Sequence, residues 1–297
     1  MSEIPRGAIR FNTDSNRLEV WNGSVWGEMQ LSTPNLGRGV DTEPGVRGVA
    51  MGGNNGTNFS DIDYINISST GDAVDFGNLS GGNNTGMGGC ASRVRAINAG
   101  GQAPSSLSTQ METLIFASTG SSADFGGDLD QGRDFLSGCS NETRGLFIGG
   151  RSGNPATGTA RIDYMTIAST GVNAQSFGTI RSAQLFYPMS LASPTRAVAG
   201  ASSPSSPSTT ELDLINIATL GSVSDFGTAG LNRGGVGFNN PTRGVFAGGY
   251  NPGICNVVSY ITIATTGNTA DFGDLTRTVR AAAAAALIFL ISMICFL

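Results

Sequence analysis

The chain has 297 residues, including 44 Gly, and 39% of it is hydrophobic, which is too much for a disordered chain. All 17 basic residues are Arg, His is absent, and the net charge of −5 argues against a nucleic-acid partner. The missing His and Lys exclude a Ser–His or Cys–His couple, an imidazole metal ligand and a Schiff base, and the four Cys form no C-x-x-C pair. We therefore expect no catalytic residue, no metal and no cofactor.

Residues 1–35 begin with MSEIPRG, which lacks an apolar stretch, so we expect no signal peptide and reduced thiols in a chain made in a cytoplasm. Three short strands are predicted at Ala8–Asn12, Leu18–Trp21 and Val25–Met29. The stretch GAIRFNTDSNRLEVWNGSVWGEMQL closely resembles a short β segment of bacteriophage tail fibres and other virion proteins. The resemblance implies a virion protein.

One phrase, an apolar alternation followed by a turn and a Phe-Gly pair, occurs five times between residues 36 and 275. The Phe-Gly pairs begin at Phe76, Phe125, Phe177, Phe226 and Phe272, which are 49, 52, 49 and 46 residues apart. An Arg-led apolar run precedes each pair, beginning at Arg47, Arg95, Arg144, Arg196 and Arg243. Self-similarity at a period of about 50 residues favours a β-propeller.

Each repeat predicts a blade of four strands, a to d. Strand a is the small-residue run before the Arg, strand b is the Arg-led run, strand c carries the alternation, and strand d carries the Phe. We expect Ile65, Ile67 and Phe76 to be buried between stacked blades, each contributing roughly 1.5–3 kcal/mol. The predicted boundaries of the five repeats are 36–79, 80–129, 130–180, 181–229 and 230–275.

The order of motifs resembles the kelch repeat. Strand b ends in Gly-Gly, and Phe76-Gly77-Asn78-Leu79 and its copy at Phe272 stand where kelch repeats carry a Trp and a Leu. The resemblance covers residues 36–275 and is loose in identity, because none of the five repeats contains Trp and repeat 4 has Gly200-Ala201 instead of Gly-Gly. It implies an all-β, kelch-like propeller.

The two ends of the chain permit two architectures. Leu18–Trp21 and Trp26–Met29 fit strands c and d of a further repeat, and the stretch from Thr276 fits its strand a, so we predict a six-bladed ring closed by both termini. Five blades with a separate N-terminal hairpin is the alternative. Within the closing segment 276–297, the 17 uncharged residues Ala281–Leu297 are predicted to be a buried strand or assembly contact, with a membrane anchor as the alternative.

Several motifs are better explained by structure than by catalysis. Asp-Phe-Gly triplets recur, yet a kinase also needs a Lys and a His-Arg-Asp loop. The repeated arginines are expected to bond the repeat's own Asp or backbone carbonyls rather than form an anion-binding ring. Cys90 and Cys139 occupy one repeat position and are expected to be buried thiols, although a disulfide is the other possibility. A glycosidase needs paired carboxylates, and the sequence offers only scattered ones such as Asp128 and Asp130.

The connections between strands differ in how much they vary. The c–d turns are nearly identical, whereas the b–c and d–a connections, which emerge together on the opposite face of an up-and-down blade, differ in every repeat. Variable loops on a regular frame are typical of a binding surface, the alternative being unselective solvent loops. The candidate ligand-binding residues, whose polar and aromatic side chains suit a glycan, are Asn54, Asn55, Asn58, Phe59, Tyr187, Tyr250 and Asn251.

These patterns favour a non-enzymatic bacteriophage virion protein, a tail-fibre or surface-appendage component made in the host cytoplasm. The expected partners are other virion proteins or a host-surface glycan, no nucleic acid is expected to bind, and the protein is expected to be a homo-oligomer within the virion. The alternative is a cellular kelch-type interaction scaffold that is membrane-associated through its C-terminal tail.

Overall fold

The computed structural model forms two compact units, Met1–Pro44 and Gly45–Leu297. The described residues are 5–12, 17–28, 47–54, 57–66, 70–82, 85–103, 106–153, 157–181, 185–201, 209–220, 223–230, 234–249, 253–279, 284–286 and 290–292. All the regular structure in these ranges is β-strand, which confirms the predicted all-β class.

In the first unit, β1 (Ile9–Asn12), β2 (Arg17–Trp21) and β3 (Trp26–Glu28) form an antiparallel three-stranded meander. Ile9 pairs with Val20, which pairs with Gly27. The Trp21 and Trp26 rings contact each other with centroids 5.5 Å apart.

Within the described residues, the second unit has 25 strands. They are β4 (Arg47–Asn54), β5 (Asn58–Asn66), β6 (Val74–Asn78), β7 (Gly88–Ala91), β8 (Arg95–Ala99), β9 (Gln102–Ala103), β10 (Ser106–Leu107), β11 (Gln110–Ile115), β12 (Ala123–Asp128), β13 (Ser137–Ser140), β14 (Arg144–Ile148), β15 (Arg151–Ser152), β16 (Thr157–Gly158), β17 (Arg161–Thr166), β18 (Gln175–Thr179), β19 (Met189–Ala192), β20 (Arg196–Gly200), β21 (Glu211–Asn216), β22 (Val223–Thr228), β23 (Val236–Asn239), β24 (Arg243–Ala247), β25 (Cys255–Thr262), β26 (Ala270–Val279), β27 (Ala284–Ala286) and β28 (Leu290–Ser292).

Each predicted repeat forms one antiparallel sheet. Repeats 2 to 5 have four strands in the order a-b-c-d, namely β7-β8-β11-β12, β13-β14-β17-β18, β19-β20-β21-β22 and β23-β24-β25-β26. Repeat 1 supplies strands b, c and d as β4-β5-β6 within the described residues. The a strands of successive repeats are neighbours, β7 with β13, β13 with β19, and β19 with β23. Sheets arranged side by side along their first strands make a β-propeller-like fold.

The Phe-Gly pair is the contact point between one repeat and the next. The turn glycine of the following repeat donates its N–H to the Phe carbonyl, at 2.7 Å from Gly120 to Phe76 and at 2.8 Å from Gly171 to Phe125. Gly77 has φ +147°, and a Cβ there would overlap the backbone of Gly120. The glycine is therefore required because the neighbouring turn approaches so closely.

The repeated arginines make a second link between repeats. The guanidiniums of repeats 1 to 4 each donate to a backbone carbonyl just past the end of the next repeat's strand c, as in Arg95 to Ile167 at 3.0 Å and Arg144 to Ile217 at 2.7 Å. Arg47 and Arg196 make the corresponding bonds to Phe116 and Ala264. The predicted bonds to backbone carbonyls are therefore present, and the carbonyls belong to the neighbouring repeat.

The core lies between the sheets. Phe76, Phe125, Phe177 and Phe226 are at most 7% exposed and pack in clusters shared by two successive repeats.

The first and last repeats each expose one of the apolar positions that the other repeats bury. Phe272 of repeat 5 is 55% exposed and Ile65 of repeat 1 is 43% exposed, so the expected burial of these two positions is wrong. The reason is that each lies on a sheet face that no described repeat covers.

The C-terminal end also departs from its predicted role. Thr276–Val279 were assigned to an opening strand a, but they continue β26, whose last residue pairs with Cys255 of β25. Further on, β27 and β28 form an antiparallel hairpin, and β28 lies beside the a strands β7, β13, β19 and β23. Among the residues searched, no helix has the length and apolarity needed to cross a membrane.

Candidate functional site

The b–c and d–a connections are bonded to one another, and together they form what we call the loop face. Residues of d–a connections bridge to residues of b–c connections, Thr85 to Gln102 and Asp134 to Arg151. Two of the b–c connections contain small hairpins of their own, β9–β10 and β15–β16. Backbone bonds between connections and within them therefore hold the described parts of these variable loops in place.

Buried carboxylates at one repeat position hold the d–a connections in place. In repeat 2, Glu112 of strand c accepts hydrogen bonds from the Ser80 hydroxyl at 2.6 Å and from the Gly81 N–H at 2.5 Å. In repeat 4, the equivalent Asp213 accepts from the N–H of Arg181 at 2.7 Å. Burial raises the pKa of Asp213, while its bonds to Arg181 oppose that rise.

Repeat 3 has the most buried version of this contact. Arg133 from the d–a connection and Asp163 from strand c both have fully buried side chains and form an ion pair at 2.5 Å. Arg133 also donates to the carbonyl of Gly149 at 2.7 Å, and burial lowers its pKa to about 10. Arg161 binds the other oxygen of Asp163 at 2.7 Å. These bonds fix the connection that continues into Asp134 and Phe135.

Three aromatic residues and an arginine from these connections contact one another on the loop face. Phe135 and Tyr187 have ring centroids 4.2 Å apart with planes 33° apart, and Phe186 meets the Tyr187 ring edge-on at 4.7 Å. The guanidinium of Arg151 lies 5.0 Å from the Phe135 centroid and 5.8 Å from that of Phe186. All four residues are half-buried. We call Phe135, Phe186, Tyr187 and Arg151 the aromatic crest.

Two residues of the crest have unfavourable backbone conformations. Phe135 has φ +52° and Tyr187 has φ +57°, in the left-handed region that bulky side chains rarely adopt. The same repeat position is glycine in repeats 2 and 5, where Gly86 and Gly234 have φ +72° and +71°. Such strain, of order 1–3 kcal/mol per residue, concentrates at functional sites. This observation makes the aromatic crest the candidate functional site.

The charge of Arg151 is balanced within the site. Its guanidinium bonds both carboxylate oxygens of Asp134, whose side chain is fully buried, and it reaches the Gln102 side-chain oxygen at 3.4 Å. The bond to Asp134 raises the pKa of Arg151, and burial raises the pKa of Asp134. The crest is therefore a largely apolar surface with a charge-neutral polar edge.

The predicted ligand-binding residues fall in separate places. Tyr187 belongs to the aromatic crest. Asn54 and Asn58 face each other across the β4–β5 hairpin of repeat 1, where the Phe59 ring packs over Gly53. Asn55, Tyr250 and Asn251 lie outside the described residues. Sequence reasoning missed Phe135, Phe186 and Arg151, although aligning Phe135 and Tyr187 with Gly86 and Gly234 would have identified the first.

The thiols and carboxylates outside the aromatic crest have structural surroundings. Cys90 and Cys139 are buried free thiols, and burial raises the pKa of both, that of Cys139 to about 12. Asp130, a scattered carboxylate of the sequence analysis, is ion-paired with Arg161. Within the part of the chain that could be searched, no group of three or more His, Cys, Asp or Glu residues is placed to hold a metal ion.

Comparison with known proteins supports the fold and no more. No protein-family model matches the chain, and no curated protein sequence matches it. The solved structures do include similar folds. One, described as "Structure of YjhT", is similar over 75% of this chain and 80% of its own, with a TM-score of 0.63 and 8% sequence identity. At that identity the similarity concerns the arrangement of the strands alone.

Substitution of Asp163 tests whether this carboxylate anchors the loop face. Asp163→Asn removes the partner of a fully buried guanidinium and should lower the free energy of unfolding by about 3–5 kcal/mol, measured by urea titration. Asp130→Asn is the matched control, because Asp130 also bonds Arg161 but is 62% exposed and should cost less than about 1 kcal/mol. Equal effects of the two substitutions would contradict the anchoring role.

Proposed function

We propose that this protein is a non-enzymatic bacteriophage virion protein, a tail-fibre or surface-appendage component with kelch-like repeats. Its loop face binds a host-surface glycan or a neighbouring virion protein, and in the virion the protein is a homo-oligomer. The virion assignment is supported by the resemblance of the N-terminal stretch to phage-fibre segments. The binding assignment is carried by one observation, the strained aromatic crest on the loop face.

The unequal use of the two faces supports a binding role. The c–d turns are occupied in bonding to the preceding repeat, as in Gly120 to Phe76 and Gly267 to Phe226. A change in these turns would disturb the contacts between sheets. On the loop face, neighbouring repeats also bond through backbone groups, as in the N–H of Phe135 to the Gly86 carbonyl. Such bonds do not depend on the side chain, so the side chains of the loop face can vary with the ligand while the frame stays constant.

We further propose that the propeller has six blades and that β1–β2–β3 supply strands b, c and d of the sixth. Ile9, Val20 and Gly27 pair with one another across the three strands of the meander, as Met51, Ile62 and Gly77 do across strands b, c and d of repeat 1. In both, an apolar residue of strand c pairs with the glycine of an aromatic-Gly pair. The alternative remains five blades with a separate N-terminal hairpin.

The exposed apolar residues support six blades. Ile9 of the meander is 61% exposed, whereas Met51 at the matching place in repeat 1 is buried. The last repeat exposes Phe272, and the guanidinium of Arg243 stacks on Tyr260 at 4.7 Å but has no bond to a following repeat among the described residues. The residues at the same positions in the other repeats are buried against a neighbouring repeat, so we expect a sixth blade to cover these exposed residues.

Replacement of Phe272 tests the number of blades. If a sixth blade covers this side chain, Phe272→Ala should cost about 3–5 kcal/mol in the free energy of unfolding, as expected for buried Phe226→Ala. In a chain lacking residues 1–35, the cost of Phe272→Ala should then fall well below that of Phe226→Ala. A cost under about 1 kcal/mol in the full chain, with Phe226→Ala at its full value, would favour five blades and a separate hairpin.

Immunogold labelling of particles from the source tests the virion assignment. Antibody raised to residues 45–297 should place gold on tail fibres or another surface appendage of intact virions. Unlabelled virions together with labelled cell membranes would contradict the proposal and favour a cellular kelch-type scaffold anchored through Ala281–Leu297. Flotation of the full chain with lipid vesicles provides the control, because a virion protein should stay at the bottom of the gradient.

A further inference from the structure

We infer that repeat 2 binds a calcium ion between the carboxylates of Glu112 and Asp124, with the amide oxygen of Asn98 as a third ligand. In repeat 2 the ion takes the place that the guanidinium of Arg181 has in repeat 4. The inference goes beyond the proposed function and does not rest on it, because it concerns the contact between repeats 1 and 2 and not the ligand of the loop face.

Two carboxylates stand directly opposite each other on strands c and d of repeat 2. Glu112 pairs in register with Asp124, and in repeat 4 Asp213 pairs in the same way with Asp225. Side chains at directly opposite positions lie on one face of the sheet with Cβ atoms about 5 Å apart, so like charges there repel each other. A cation between the two carboxylates removes that repulsion.

Repeat 4 supplies this cation from its own sequence. Nη1 of Arg181 lies 3.2 Å from Oδ1 of Asp213 and 2.7 Å from Oδ1 of Asp225, so one guanidinium pairs with both carboxylates. The carboxylate pair on strands c and d is therefore already a cation site in one repeat of the chain.

Repeat 2 has an uncharged hydroxyl where repeat 4 has the guanidinium. Ser80 stands at the position of Arg181, because each follows the buried apolar residue after strand d. The Ser80 hydroxyl donates to Oε1 of Glu112 at 2.6 Å. Among the ion pairs of the described residues, none includes Glu112 or Asp124. The pair in repeat 2 thus has two negative charges and no guanidinium to balance them.

The buried side chain of Asn98 points to a metal ion at this place. Asn98 pairs in register with Glu112, is 3% exposed, and has a carbonyl oxygen with no hydrogen-bond partner among the described residues. Its amide nitrogen lies 3.5 Å from Oε2 of Glu112, so the amide group faces the carboxylate. Rotation of the amide by half a turn exchanges its nitrogen and oxygen and directs the unpartnered oxygen to Oε2. Repeat 1, with the pair Asp63 and Asp75, has Ala50 at the position of Asn98.

One oxygen of Glu112 is available to an ion. Oε1 accepts three hydrogen bonds, from the Ser80 hydroxyl, the Gly81 N–H and the Ser122 hydroxyl, and these bonds fix the carboxylate. Oε2 has only the long contact to the amide of strand b. Glu112 is 1% exposed while Asp124 is exposed, so solvent reaches the site from the side of Asp124.

The ligand atoms select a hard cation. Carboxylate and amide oxygens suit Ca²⁺, which accepts six to eight oxygens in a flexible geometry, so three side chains and water complete its coordination. Mg²⁺ demands a nearly ideal octahedron and gives up its water reluctantly. The expectation of no metal rested on the missing imidazole and paired thiol ligands, which a calcium site does not need.

Calcium titration of the full chain tests the site. Calorimetry should give a Kd of about 10⁻⁴–10⁻³ M, as in sites with few charged ligands. Relative to EDTA, about 10 mM calcium should raise Tm by at least about 3 °C, because the ion binds the folded chain alone. The same concentration of magnesium should raise Tm by less than about half as much.

Three variants locate the ion. Asp124→Asn removes an exposed carboxylate and should weaken calcium binding at least about tenfold, because affinity follows the number of charged ligands. Ser80→Arg introduces the guanidinium of repeat 4 and should abolish the calcium-dependent rise while Tm in EDTA stays at or above the wild-type value. Asp225→Asn is the matched control at the same position of repeat 4 and should bind calcium like the wild type, because Arg181 already pairs with Asp225.

The outcomes separate the site from general cation binding. Loss of the calcium effect in Asp124→Asn and Ser80→Arg, with Asp225→Asn unchanged, supports the inference. No rise of Tm in calcium, a rise that Asp124→Asn and Ser80→Arg leave intact, or an equal loss in Asp225→Asn would overturn it.

Discussion

The contact between a Phe-Gly pair and the turn of the next repeat is the interaction on which the rest of the structure depends. It buries the aromatic ring, satisfies the Phe carbonyl through the turn glycine, and leaves no room for a side chain at Gly77. The neighbouring Arg adds a charge-assisted bond between the same two sheets. No repeat can complete these contacts alone, so stability is a property of adjacent pairs, as in other repeat proteins.

This dependence constrains the sequence of one face, the c–d turns, more than that of the loop face. The c–d turns are constrained because each must fit the strand d of the preceding repeat. The b–c and d–a connections bond chiefly to one another, and buried carboxylates such as Glu112 and Asp163 fix where they start. Residues on the loop face can therefore depart from the repeat pattern, and Phe135 and Tyr187 do so where two other repeats have glycine. The aromatic crest lies at positions where the sequence varies between repeats.

The repeat phrase was enough to predict the strands a to d, the inter-sheet burial of Phe125 and Phe177, and the face on which variable loops gather. The exposure of Phe272 and Ile65 could not be predicted, because a repeat pattern treats every copy as though it had two neighbours. Strand β26 continues into Thr276–Val279, and its last residue pairs with Cys255. The apolar–polar alternation of the sequence does not predict that pairing. The glycines at the matching positions of repeats 2 and 5 indicate the left-handed conformation of Phe135 and Tyr187. The contacts within the crest could not be predicted, because its residues come from three separate connections.

Intrinsic tryptophan fluorescence tests the central claim most directly, since Trp21 and Trp26 are the only two tryptophans of the chain and both lie in the β1–β2–β3 meander. The full chain would be unfolded in urea and followed by tryptophan emission and by far-UV circular dichroism of the whole molecule. If every repeat depends on its neighbours and the meander is one of them, the two transitions will coincide. A tryptophan transition at lower urea, with the circular dichroism unchanged, would contradict the account and make the meander an independent attachment.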